Sequence, residues 1–196
     1  MAKATQIVDI AQEYVQKVGF HAFSYRDIAE RVGIRTASIH YHFPTKADLA
    51  KAIVDRVLAA TAAAVAEIDA TAGSASERLR RFCGLFLQTW GEGDRLCPMC
   101  MLAMGQDAIP GDVQSGVRDF WRGGEQWVAQ TVRDGQAAGE FIGDLRPEAV
   151  GRTFVAALEG GMVAARAFSD RTRIADVIDH LMDSVTVRRT DGAGAV

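Results

Sequence analysis

Apolar residues recur at helical spacing along almost the whole chain, and no segment alternates apolar and polar residues between hairpin turns. That pattern restricts the chain to an all-α fold. The first stripe is Ile7, Ile10, Ala11, Tyr14, Val15 and Val18, which one face of a 3.6-residue helix collects, and Gly19 follows as a stop. Ser24 and Asp27 then frame a second start, the hydroxyl accepting from the new turn and the carboxylate reaching back. Ile28, Ala29 and Val32 form its buried side, and Gly33 ends it. A third short helix is expected over 36–43, because Pro44 disfavours α geometry in the residue before it. Thr45 and Asp48 repeat the cap and open a long helix to about residue 70. After a loop at 71–76, helices are expected through Leu79 to Trp90 and over 99–107, 112–138, 147–168 and 171–187, about nine in all.

Composition narrows the class. Hydrophobic residues are 48% of the 196 and charged residues 24%, too apolar for a disordered chain. No apolar run approaches the roughly 20 residues that span a bilayer, so no membrane partner is expected. The N-terminus lacks a secretory signal pattern, and a cytoplasmic protein is expected. Three cysteines, an odd number, do not make a disulfide framework. The net charge is −3, and residues 1–50 hold six basic side chains against five acidic. Any contact with DNA therefore comes from the local placement of a few charges, not from bulk charge.

Two short helices joined by a Gly-containing turn and packed on a preceding helix match helix-turn-helix architecture. Its second helix lies in the major groove. Here Ile34, Ile39 and Phe43 face inward and leave Arg35, Thr36, Ser38, His40 and Tyr41 for DNA. A plain helical corner of an all-α core would show the same spacing.

The wording of the segment goes further. Residues 24–33 (SYRDIAERVG), 34–43 (IRTASIHYHF) and 44–49 (PTKADL) together resemble the TetR family of bacterial transcriptional regulators, over about residues 5–55. The resemblance implies an N-terminal three-helix DNA-binding domain (1–48), a helical ligand-binding and dimerisation domain (49–189) and, beyond it, a short tail (190–196) read as disordered. It implies a homodimer, a repressor that leaves its double-stranded operator when a small-molecule inducer binds. Carried over by position, Ser24 and Tyr25 would contact phosphate, and Arg35, Thr36, Ala37 and Ser38 would contact bases and phosphate. Lys46 would grip the backbone. Where the family most often has a phosphate-contacting tyrosine this chain has His40, with Tyr41 next to it, so either can hold that role.

The second half carries most of the large side chains. Most of them are expected to fill a core. Trp90, Met101, Trp121, Glu125, Phe154 and Glu159 are candidate ligand contacts because the resemblance places their segments around a cavity. Ala156, Gly160 and Ala164 put small side chains along one stripe, widened by Gly161 and Ala165. A Gly-Gly pair within a helix costs stability, and close helix approach is one compensation. With Ile174, Val177, Ile178, Leu181, Met182 and Val185, this reads as half of a two-fold interface through the last two helices.

Cys97 and Cys100 form a Cys-x-x-Cys motif. A thioredoxin-type pair needs a βαβ context that is absent, and a zinc site needs two more ligands at ordinary spacing. No cofactor or metal is expected. What remains is packing, or regulatory thiol chemistry beside Met101 and Trp90. Cys97 at a helix start is expected to have a lowered pKa. The alternatives to a ligand-released repressor are an electrophile- or oxidant-sensing repressor using these thiols, and a helical thiol oxidoreductase. No Ser/His/Asp set or phosphate loop supports an enzyme.

Overall fold

A computed structural model describes residues 3–91, 95–105 and 109–187. Nine α-helices lie among them: α1 (Lys3–Val18), α2 (Tyr25–Val32), α3 (Thr36–His42), α4 (Lys46–Thr71), α5 (Ala75–Gly91), α6 (Pro98–Met104), α7 (Gly111–Ala137), α8 (Pro147–Phe168) and α9 (Thr172–Val185). The expected tail at 190–196 and the end of the helix expected over 99–107 lie outside the described residues. No helix among the described residues is long and apolar enough to cross a membrane.

Local chemistry sets the N-terminal unit. The Asp27 carboxylate accepts from both the backbone N–H and the hydroxyl of Ser24 at 2.7 Å, which fixes the start of α2. Gly33 closes it at φ 72°, a left-handed conformation strained for any L side chain, and donates to the Ala29 carbonyl at 3.0 Å. That reversal sets α3 beside α2, with Ile28 and Ile39 buried in one core with Ile7 and Ala11 of α1. Thr45 and Asp48 repeat the reciprocal cap at the start of α4.

α4 runs without a break across the boundary expected at residues 48/49. Its first turns bury Leu49, Ala50, Ile53 and Val54. Arg56 then ties it to α1 through the Asp9 carboxylate and through Gln12 Oε1 at 2.6 Å.

In the C-terminal half α8 packs closely on α7 because Gly151 has no side chain. A Cβ there would run into the Glu125 carbonyl oxygen. The opposite side of α8 receives α9, with Gly161 set against Val177. This corrects two expectations. Ile174, Ile178, Leu181, Met182 and Val185 are buried in the protomer's own core, not presented to a second chain. Gly161 and Ala165 are buried there too, while Ala156, Gly160, Val163 and Ala167 remain exposed. Two faces of α8 carry small residues, and among the described residues only one is filled from within the chain.

The last helix, expected to reach residue 187, stops at Val185. Thr186 pairs antiparallel with Phe141, the Ile142 N–H donating to Val185 O at 2.9 Å and the Val187 N–H to Glu140 O at 3.0 Å. Such a bridge joins residues far apart in sequence, so no local pattern announces it.

Candidate functional site

α3 presents a polar face. Arg35, Ala37, Ser38, His40 and Tyr41 are exposed, Thr36 is half-buried, and Ile39 points into the core. Arg35 stands at the N-cap of α3. Tyr41 is 83% exposed, whereas His40 places Nδ1 3.2 Å from the Pro44 carbonyl and its ring 4.8 Å from the Tyr25 ring. Of the two residues weighed for a phosphate contact, Tyr41 is the freer.

Two other expected DNA contacts are turned inward. Tyr25 is only 8% exposed, and its hydroxyl lies 2.9 Å from the Phe43 carbonyl oxygen and 2.5 Å from that of Thr45. Burial pushes its pKa up to about 12, so it is held as a neutral donor. Lys46 donates to the carbonyls of Phe20, at 2.5 Å, and Phe23, and its ammonium sits 4.1 Å from the Phe23 ring centre. Burial lowers its pKa. The sequence placed both residues correctly at helix starts but not the loop carbonyls that engage them. Lys46→Ala is expected to destabilise the fold by roughly 1–3 kcal/mol, because it strands two carbonyls, and to leave the salt dependence of operator binding unchanged. Chemical denaturation with a salt titration checks this. A salt slope lower by about one with unaltered stability would return Lys46 to the DNA.

A cavity of about 110 Å³ lies between α4, α5, α6, α7 and α8. Phe82, Leu85, Phe86 and Thr89 form its α5 wall at i, i+3, i+4 and i+7. Val57 and Thr61 of α4, Phe120 and Gly124 of α7, and Val155 and Met162 of α8 complete most of the lining. The stripe on α5 was legible in the sequence, but nothing local distinguishes a stripe that meets a cavity from one that meets a core. A cleft of about 410 Å³ shares Val57, Thr61, Leu85, Thr89 and Pro98 with the cavity and adds Gln12, Gln16, Arg56 and Arg95, opening toward α1.

Of the six candidate ligand contacts and the two thiols weighed beside them, only Cys97 lines this cavity. Trp90 and Phe154 are buried in the core. Glu125 lies in a polar surface groove between α7 and α8, with Arg122, Arg133 and Arg152. Met101 packs against the turn at Gly19. Trp121 is half-buried, and its indole Nε1 is buried without a partner. Glu159 is 3% exposed, and its Oε1 has no hydrogen-bond partner.

Cys97 caps α6, as expected, but its thiol is not activated. Burial raises its pKa well above 9.0, and the facing Glu159 carboxyl raises it further. Cys100 rises to about 12 for the same reasons in the same order. The short helix behind Cys97 contributes little against full desolvation. Burial likewise lifts Glu159 to about 7, partly held back by the Cys97 and Cys100 thiols. No group of three or more metal-ligating side chains occurs among the described residues.

α6 joins this region to the N-terminal unit. The Leu96 N–H donates to Gln16 O at 3.3 Å, and Gly105 sits against the His21 ring. From α8, Arg166 donates to the carbonyls of Gln16, at 3.3 Å, and Lys17. The end of α1 is thus held by the helices that wall the cavity or face it.

Comparison with known proteins agrees with this geometry. Residues 7–53 match the family described as bacterial regulatory proteins, tetR family, and residues 75–181 match the tetracyclin repressor-like C-terminal domain. The HTH-type transcriptional regulator TtgR of Pseudomonas putida is 29% identical over 144 residues, 69% of either chain. A TetR-family transcriptional regulator from Agrobacterium tumefaciens superposes with a TM-score of 0.91 at 29% identity, over 95% of this chain and 98% of that one. A TetR transcriptional regulator from Legionella pneumophila gives 0.84 at 27%, over 92% and 96%.

Proposed function

The chain belongs to the tetR family of bacterial regulatory proteins, and on that premise we propose a dimeric repressor whose operator complex is dissolved by a small molecule bound in the α4–α8 cavity. It is a DNA-binding transcriptional regulator, acting where its operator lies, in the cytoplasm. Residues 1–48 bind DNA, with Arg35, Thr36, Ala37, Ser38, His40 and Tyr41 on the groove side and Ser24 beside the phosphates. Residues 49–189 bind the inducer and a second copy. No catalytic step, metal or cofactor is part of this function.

The observation that carries the reading is the double attachment of α6. Cys97 and Pro98 line the cavity, while the segment from Leu96 to Gly105 is bound to the end of α1 and the turn after it. A ligand that displaces α6 therefore moves a DNA-binding unit. Two such units in a dimer must stand ~34–36 Å apart to enter successive major grooves. A ligand that binds better to any other spacing shifts the population away from DNA. The dimer is built on the exposed small-residue face of α8 and the neighbouring surface of α9.

Electrophile sensing is the weaker reading, because the buried thiols have raised pKa values and little thiolate at neutral pH. To test the favoured reading, operators are selected from random duplex DNA and small molecules are screened for release. Arg35→Ala is expected to weaken the selected operator by roughly 1–3 kcal/mol, with relaxed sequence preference where Arg35 meets a base. Unchanged affinity in Arg35→Ala and in Ser38→Ala would remove α3 from the DNA.

A further inference from the structure

We propose that Glu159 is a counter-ion, and that the cavity takes a small, mostly apolar molecule carrying a protonated amine. The proposal rests on the reading that a small molecule occupies this cavity, and it names that molecule's class.

A carboxyl group that is 3% exposed with an unpartnered Oε1 is an anomaly, since buried polar atoms are nearly always hydrogen-bonded. Its position ties it to the cavity. Val155, Glu159 and Met162 fall at i, i+4 and i+7 on α8, one face of the helix, and Val155 and Met162 both line the space. Cys97 lines the cavity and also faces the carboxyl, so one thiol side chain marks where wall and carboxyl meet.

Charge decides what belongs there. The titratable groups bearing on Glu159 are the thiols of Cys97 and Cys100, both uncharged at neutral pH, and no basic side chain among the described residues offsets its charge. A buried carboxylate without a cation is costly, and a ligand that brings one removes much of that cost. An anionic ligand would add repulsion. The rest of the wall suits the ligand's body because it is largely apolar, and the Phe82 and Phe86 rings attract a cation that lies over a ring face. Size bounds the class. An apolar cavity of about 150 Å³ holds benzene, so about 110 Å³ admits at most one small ring or its aliphatic equivalent, and the aminoalkyl arm must reach past the cavity wall at Cys97 toward Glu159.

The test compares three matched probes, benzylamine, benzyl alcohol and toluene, by calorimetry on the full chain at about pH 8, where Glu159 is ionised and the amine protonated. Benzylamine is expected to bind at least about tenfold more tightly than either neutral probe. Glu159→Gln should remove that advantage and leave toluene affinity unchanged. Equal binding of the three probes, benzylamine affinity unaltered by Glu159→Gln, or no binding of any probe would each overturn the counter-ion assignment. Operator release is measured in parallel. Toluene that binds and releases the operator as well as benzylamine sinks the counter-ion but keeps the inducer reading. Benzylamine that binds through Glu159 without releasing the operator keeps the site and sinks the inducer reading.

Discussion

Glu159→Gln is expected to make the protein more stable at about pH 8 by up to roughly 3 kcal/mol, an unusual outcome for a substitution at a buried polar residue. Burial raises the Glu159 pKa from its ordinary 4.5 to about 7. The folded protein therefore holds this proton more tightly than the unfolded chain does. Between those two values the native state binds more protons, so stability falls as pH rises. The contribution is whole below about pH 4.5 and lost above about pH 7. The carboxylates of Glu13, Asp27, Asp48 and Asp134 have lowered pKa values from their hydrogen bonds, and they act in the opposite sense, losing stability as pH falls through the acid range. Stability is thus expected to peak near about pH 5 in the native protein. In Glu159→Gln the decline between about pH 5 and pH 7 should flatten. Urea midpoints measured across that range decide it, and parallel slopes for the two proteins would mean that the carboxyl is already compensated.

Gly160→Leu is expected to separate the dimer without harming the protomer. A Cβ at Gly160 meets nothing within 4 Å among the described residues, and leucine favours a helix interior over glycine by most of 1 kcal/mol. The protomer should therefore fold at least as well as before. At a face where two copies of α8 meet, the same side chain enters occupied space. Sedimentation at micromolar concentration should then show monomer. Operator affinity should fall steeply and the salt slope drop by about half, because only one of two units meets phosphate. A variant that stays dimeric with full affinity would place the interface elsewhere. Gly161, next in sequence, is the contrasting control: there an added side chain meets Val177 within the chain and acts on stability.

Much of the fold is legible in the order of residues alone. Helical periodicity, the Ser24–Asp27 and Thr45–Asp48 caps, the Gly33 stop and Pro147 at the start of α8 each act within four residues, so the chain's local order reports them. The polar face of α3 is legible for the same reason: Ile39 marks the buried side and the remaining positions follow by rotation.

The ligand region is not legible in that way, with Cys97 the exception. Phe154 and Trp90 lie in the core and do not line the cavity, while Phe82 and Phe86, buried in the core as expected, also form its wall. The sequence alone determined that this chain is a bundle of amphipathic helices with a helix-turn-helix at its N-terminus, because those features are set by neighbours along the chain. Only the tertiary structure decided which face of α8 takes α9 and which stays open, that Lys46 and Tyr25 turn inward, and that Glu159 is buried with its Oε1 unpartnered. Each of these depends on what packs opposite a side chain. An apolar stripe states that a partner exists but not which one, and a pKa is set by burial and facing charges that arrive from distant parts of the sequence.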